Sequence, residues 1–164
     1  MPTPSPILPG ATLGMLGGGQ LGRMFTVAAR TMGYRVCVLD PDPESPAGAM
    51  ADAHIAAGYL DAAALDRLAG ECAAISTEFE NVPAEALERL SRDCTVRPAG
   101  EAVAPTQNRL REKAFFDRHD LPTVAWSAVR EPGDLEAALA TVGTPALLKR
   151  AAGGYDGKGQ AMVE

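Results

Sequence analysis

The chain has 164 residues and a formal net charge of −6, with 46% apolar and 22% charged residues. That length suits one full domain with part of a second, and an acidic balance without a basic block argues against a nucleic-acid groove or a membrane-binding face. No apolar stretch approaches the roughly 20 residues of a membrane helix, residues 1–11 lack the cationic, apolar pattern of a secretory signal, and their Pro and Ser content reads as a flexible lead-in.

In chain order, Thr12–Leu16 reads as a short buried strand. Residues 21–32 place Leu21, Met24, Phe25, Ala28, Ala29 and Met32 at helical spacing, with Gly33 as the stop. Arg35–Asp40 is a β-branched, apolar strand ending in a carboxylate, which completes a βαβ unit. The alternation continues with a strand at 53–57, a helix at 61–70 capped by Asp61, and a strand at 73–77. A helix at 83–91 with Pro83 in its first turn and a strand at 94–97 follow. This pattern predicts a parallel sheet with helices on both faces and a ligand site at the carboxyl ends of its strands. Cys37, Cys72 and Cys94 are odd in number and widely spaced, so they read as buried or free thiols in a reducing cytoplasm.

A domain boundary is expected between residues 98 and 107. Residues 108–119 read as an amphipathic helix with Leu110, Ala114 and Phe115 on one side. A strand at 124–129, a helix at 132–141 and a strand at Ala146–Lys149 follow. A glycine-rich loop over 151–159 then leads into a closing extended run, Gln160–Val163.

Three stretches carry chemistry. In MLGGGQLGRM, Gly17, Gly19 and Gly22 have the G-x-G-x-x-G spacing between a strand and a helix, which permits a tight turn and offers helix N–H groups to an anion. Asp40 follows at the position of a dinucleotide enzyme's ribose-binding carboxylate. The motif alone does not choose between a dinucleotide, another phosphate and no ligand. In LLKRAAGGYDGKGQ, glycines 153, 154, 157 and 159 form a hairpin whose N–H groups can fold over a polyphosphate, with Lys149 and Lys158 as point charges. It is not a Walker loop, because Lys158 is followed by Gly and no helical pattern succeeds it. In STEFENVP, Glu78 and Glu80 share one side of an extended chain. Glu78, nearer the strand end, is the stronger functional candidate, whereas Glu80 equally suits a solvated helix start.

GGGQLGRM, TEFENVP, the helix beginning NRLREK and KRAAGGYDGKGQ occur together, in this order, in one family. Residues 12–164 resemble the amino-terminal part of the 5-(carboxyamino)imidazole ribonucleotide synthases, ATP-grasp enzymes of purine synthesis. The resemblance implies an α/β chain: a flexible lead-in at 1–11, a Rossmann-like pre-ATP-grasp domain at 12–106, and a linker helix with a truncated, small α+β ATP-grasp domain at 107–164. It implies that the first domain binds no dinucleotide and that Asp40 loses that role. Gly19, Gln20, Leu21 and Glu78 would instead face 5-aminoimidazole ribonucleotide, with a phosphate near the helix start. ATP contacts carry over to Arg109, Lys149, Gly154, Tyr155, Asp156, Gly157, Lys158, Gly159 and Gln160. Tyr155 and Asp156 would also meet the ribonucleotide.

The chemistry the resemblance implies is ATP-dependent carboxylation of an amine by bicarbonate through carboxyphosphate. No residue stands out as a general base. Family members are considerably longer, so the carboxy-terminal domain with its magnesium ligands is expected outside this chain, which by itself would not turn over. The full-length protein is expected to be a cytoplasmic homodimer, with no nucleic-acid or membrane partner. The alternatives are another ATP-grasp ligase, such as a glycinamide ribonucleotide formylating enzyme, a non-catalytic nucleotide-binding module, and an NAD-dependent oxidoreductase.

Overall fold

A computed structural model describes residues 5–154 and 157–164. Tyr155, Asp156 and the first four residues of the lead-in therefore lie outside the described residues. The chain divides into two compact units between Val103 and Ala104.

The first unit is a five-stranded sheet built from β1 (Thr12–Leu16), β2 (Arg35–Asp40), β3 (Ala53–Ala56), β4 (Ala74–Thr77) and β5 (Thr95–Val96). Its strand order is β3-β2-β1-β4-β5, and every pairing is parallel. β1 is central, with Gly14 opposite Cys37 on one side and Ile75 on the other. A Cβ on Gly14 would lie 2.7 Å from Cγ1 of Ile75, its partner on β4, and 3.1 Å from Cys72 Sγ, so this strand needs a glycine there.

Both faces are covered, as the alternating pattern predicts. Helices α2 (Ala62–Glu71) and α3 (Ala84–Leu90) pack Leu65, Leu68, Leu87 and Leu90 with Leu16, Leu39 and Ile75. Helix α1 (Gln20–Thr31) packs Ala29 with Met15, Val36 and Val38 on the other face. Asp61 caps α2 by accepting from Ala64 N at 2.8 Å. Pro83 stands just outside α3, at its N-cap rather than in its first turn. The segment before β1 is tied down from Ile7 onward: Tyr34 donates its hydroxyl to Ile7 O, and Gly10 N donates to Gly33 O. Cys94 Sγ lies 3.2 Å from Cys72 O, and all three cysteines are free.

The rotation of α1 differs from its apolar periodicity. Its buried residues are Gly22, Thr26 and Ala29, while Leu21, Met24 and Met32 are more than 60% exposed. Sterics set this orientation. A Cβ on Gly22 would approach Gly17 O to 2.6 Å, so only a residue without one can face the preceding turn. Thr26 tolerates complete burial because its hydroxyl donates to Gly22 O at 2.8 Å.

A short helix, α4 (Gly100–Val103), ends the first unit. The second contains α5 (Arg109–Arg118), α6 (Leu135–Val142) and an antiparallel hairpin of β6 (Ala146–Lys149) and β7 (Gln160–Val163). Asn108 caps α5 by accepting from Leu110 N and Arg111 N. Two expectations fail here. No residue of α5 is buried, and Ala114 and Phe115 are exposed, so its apolar side is not a core face. Residues 124–129 form no strand. Trp126 of this stretch instead donates its Nε1 to Asp117 Oδ2 of α5 at 3.2 Å, and Thr123 just before it accepts from Lys113 Nζ.

Candidate functional site

The carboxyl ends of β1, β2 and β4 converge on the first glycine loop. The strand order reverses at β1, and such a switch point opens a crevice between diverging loops. Gly17 adopts φ +104°, a conformation that side-chain-bearing residues rarely enter, and turns the chain from β1 toward α1. A Cβ there would meet Glu78 Cβ at 2.7 Å. The loop is compressed against the end of β4.

Two carboxylates hold the loop from opposite sides. Glu78 accepts from Gly19 N at 2.6 Å through Oε2 and from Leu21 N at 3.0 Å through Oε1. It thus supplies the anion that the positive end of α1 attracts. The phosphate expected at the helix start meets donors already engaged by this side chain. Glu78 is half-buried at a bend that follows β4, so its alternation with Glu80 in extended chain does not occur, and Glu80 is exposed.

Asp40 holds the other side. Its Oδ2 accepts from Gly18 N and from the Tyr59 hydroxyl, both at 2.7 Å, and its Oδ1 accepts from Asp42 N at 2.8 Å. This nearly buried carboxylate is turned onto its own loop rather than toward a ribose. A Cβ on Gly18 would collide with Ser45 Oγ, a buried hydroxyl that also accepts from Gly48 N. Burial first, and then the Asp40 carboxylate, hold the Tyr59 phenol protonated well above its ordinary range. Sequence spacing gave no sign of Tyr59 or Ser45, because their approach depends on β2 and β3 being neighbours.

The second glycine loop belongs to the other unit. Arg150 N donates to Gly159 O at 2.8 Å, extending the β6–β7 ladder into the loop. Gly153, Gly157 and Gly159 all have positive φ. At its base Arg109 N donates to Ala151 O at 2.8 Å, and an Arg109 guanidinium nitrogen lies 3.8 Å from the Cβ position of Gly154. Arg109 and Lys149 line one cavity of about 680 Å³, together with Lys113, Val124, Trp126 and Leu135. Cationic ends beside an apolar wall suit a ligand with a charged tail and a flat, apolar head. Among the described residues, no group of three or more His, Cys, Asp or Glu could hold a metal ion. No helix there is long and apolar enough to cross a membrane.

The sequence candidates therefore form two groups. Gly19, Gln20, Leu21 and Glu78 gather at the switch point. Arg109, Lys149, Gly154, Gly157, Lys158, Gly159 and Gln160 gather around the hairpin loop.

Comparison with known proteins gives this arrangement a family. The model described as "Ribonucleotide synthetase preATP-grasp domain" matches residues 10–107, and the ATP-grasp domain model matches residues 114–164. The chain is 40% identical to the N5-carboxyaminoimidazole ribonucleotide synthase of Bacillus subtilis over 96% of its own length and 42% of the relative's. It thus spans about two fifths of the curated relatives it matches. The crystal structure of N5-carboxyaminoimidazole synthetase from Staphylococcus aureus complexed with ADP matches with a TM-score of 0.91 and 39% identity, over 95% of this chain and 42% of that one. The Aspergillus clavatus enzyme in complex with ADP and 5-aminoimidazole ribonucleotide matches with a TM-score of 0.80 and 28% identity, over 93% and 40%. With a central sheet, a glycine turn and a family match that coincide, the chain belongs to the ribonucleotide synthetase pre-ATP-grasp family.

Proposed function

We propose that this chain is the amino-terminal portion of an ATP- and bicarbonate-dependent ligase that carboxylates the exocyclic amine of 5-aminoimidazole ribonucleotide. The observation that carries the reading is its 40% identity to N5-carboxyaminoimidazole ribonucleotide synthases along 96% of its length, a span that includes both glycine loops. The Aspergillus clavatus relative, solved with ADP and the ribonucleotide, supports the pairing of ligands. In this reading 12–106 is the substrate domain and 107–164 part of the nucleotide-binding domain. The family resemblance supports a homodimer for the whole protein.

In the proposed reaction a bicarbonate oxygen attacks the γ-phosphorus of ATP, the bond to the β-phosphate oxygen breaks, and ADP leaves. The ribonucleotide amine then attacks the carbon of carboxyphosphate, or of the carbon dioxide it releases. A C–N bond forms, phosphate departs and the amine loses a proton. The work of the protein in such a step is positioning and charge neutralisation. Lys149 and Arg109 offset phosphate charge, and the N–H groups of 154–160 cover the polyphosphate and exclude water from the labile intermediate. Gly19, Gln20, Leu21 and Glu78 orient the ribonucleotide, with the remaining lone pairs of Glu78 accepting from its hydroxyl or amine donors. The resemblance places the magnesium ligands in the carboxy-terminal domain, in keeping with the lack of any group of three or more His, Cys, Asp or Glu among the described residues that could hold the ion.

The test is ADP release by the whole protein with magnesium, bicarbonate and ATP. The reading expects release to rise sharply when 5-aminoimidazole ribonucleotide is added. Release indifferent to the ribonucleotide would assign the chain to another ATP-grasp ligase or a binding module.

A further inference from the structure

Asp40, the conspicuous carboxylate at the end of β2, has no place in the ligand contacts proposed above. Its surroundings give it one. Of its three hydrogen-bond donors two are backbone N–H groups, and the third is the hydroxyl of Tyr59. The ring of Tyr59 meets Phe79 edge-on, with centroids 6.4 Å apart and planes at 67°. Phe79 is the neighbour of Glu78 and packs over Gly17, its Cδ1 lying 3.3 Å from where a Cβ of that glycine would be. One side chain thus touches both supports of the glycine loop, the Asp40 carboxylate through its oxygen and the Glu78 bend through its ring.

We propose that Tyr59 is a positioning residue for the ribonucleotide site, fixing Asp40 and the Phe79–Glu78 bend so that the N–H groups of Gly18, Gly19 and Leu21 keep one arrangement. The assignment rests on the reading of this loop as the ribonucleotide site. Three consecutive glycines have wide conformational freedom, and a loop of that kind presents a defined surface only if its N–H groups are held. Asp40 takes the first and Glu78 takes the second and the helix start. Tyr59 couples the two, and because its phenol stays protonated through the neutral range it remains a donor to Asp40.

Tyr59→Phe removes the hydroxyl and keeps the ring on Phe79. Two measurements read it. Amide exchange by NMR on this chain is expected to lose protection at Gly18 and Gly19 while the β1 amides keep theirs. In the whole enzyme, KM for the ribonucleotide is expected to rise by up to roughly tenfold, the scale of one lost part-buried hydrogen bond, with KM for ATP unchanged. A general loss of structure would move both constants. Unchanged protection at Gly18 and Gly19 overturns the clamp and leaves the substrate reading standing. A wild-type enzyme indifferent to the ribonucleotide overturns the substrate reading and this assignment with it.

Discussion

Glu78 accepts the backbone N–H of Gly19 at 2.6 Å across 59 residues of sequence. This bond joins the end of β4 to the start of α1 and makes the carboxylate both a helix cap and a candidate ligand group. Glu78→Ala is therefore expected to lose about 1 kcal/mol of stability in urea denaturation, the usual cost of removing a cap. It should also raise KM for the ribonucleotide in the whole enzyme. Glu78→Gln retains an acceptor for one of the two N–H groups, so its loss of stability should be smaller.

Gly22 and Gly70 are both helical glycines, and the structure predicts opposite responses to alanine. At Gly22 the new Cβ would stand 2.6 Å from Gly17 O, a backbone atom that moves only if the loop moves. Gly22→Ala is expected to cost about 1–3 kcal/mol. At Gly70, exposed in α2, nothing lies within 4 Å of the added methyl. Gly70→Ala should stabilise by about 0.5 kcal/mol, because the unfolded chain loses freedom that the helix does not use. Denaturation midpoints of the two variants check both signs.

Tyr59 predicts an alkaline transition. Its folded-state pKa is raised, chiefly by burial, so the stability it contributes is fully present below the unfolded value near 10 and is lost as pH rises toward the higher folded value. At about pH 11 Tyr59 should stay protonated in the folded chain, and unfolding should release it to ionise. Tyrosinate absorbance measures this directly. Tyr59→Phe should leave the folded amplitude unchanged and lower the unfolded one.

Lys149 ends β6, exposed and facing the cavity shared with Arg109. Lys149→Met should leave thermal stability within measurement while raising KM for ATP by roughly tenfold or more, since a point charge near phosphate is removed without disturbing packing. Arg109→Met should act in the same direction. An additional loss of stability is not expected there, because the contact of residue 109 with Ala151 is made by the backbone.

The sheet was legible because parallel, buried strands leave continuous apolar runs, as in Arg35–Asp40, and because glycine and cap residues punctuate them. The pairing of Asp61 with α2 could be read from local chemistry alone, whereas the cap that Asn108 places on α5 emerges only in the structure. The rotation of α1 was not legible: its periodicity marks an apolar stripe, whereas the close approach of Gly22 to Gly17 decides which side turns inward. Residues 124–129 have strand composition, but they pair with no strand, and Trp126 among them bonds to Asp117 of the preceding helix. Asp40 shows the same limit in the site. Its spacing from the glycine motif matches a ribose reader, and only the fold reveals that Tyr59 and Gly18 occupy it.

The proposed reaction joins carbon from bicarbonate to the amine of the ribonucleotide at the expense of ATP. Carbon-13 NMR of the whole enzyme with labelled bicarbonate, ATP and 5-aminoimidazole ribonucleotide follows that carbon. The proposed carboxylation gives a carbamate resonance that grows in step with ADP and requires both ATP and the ribonucleotide. ADP formation with no labelled carbon on the ribonucleotide would contradict it.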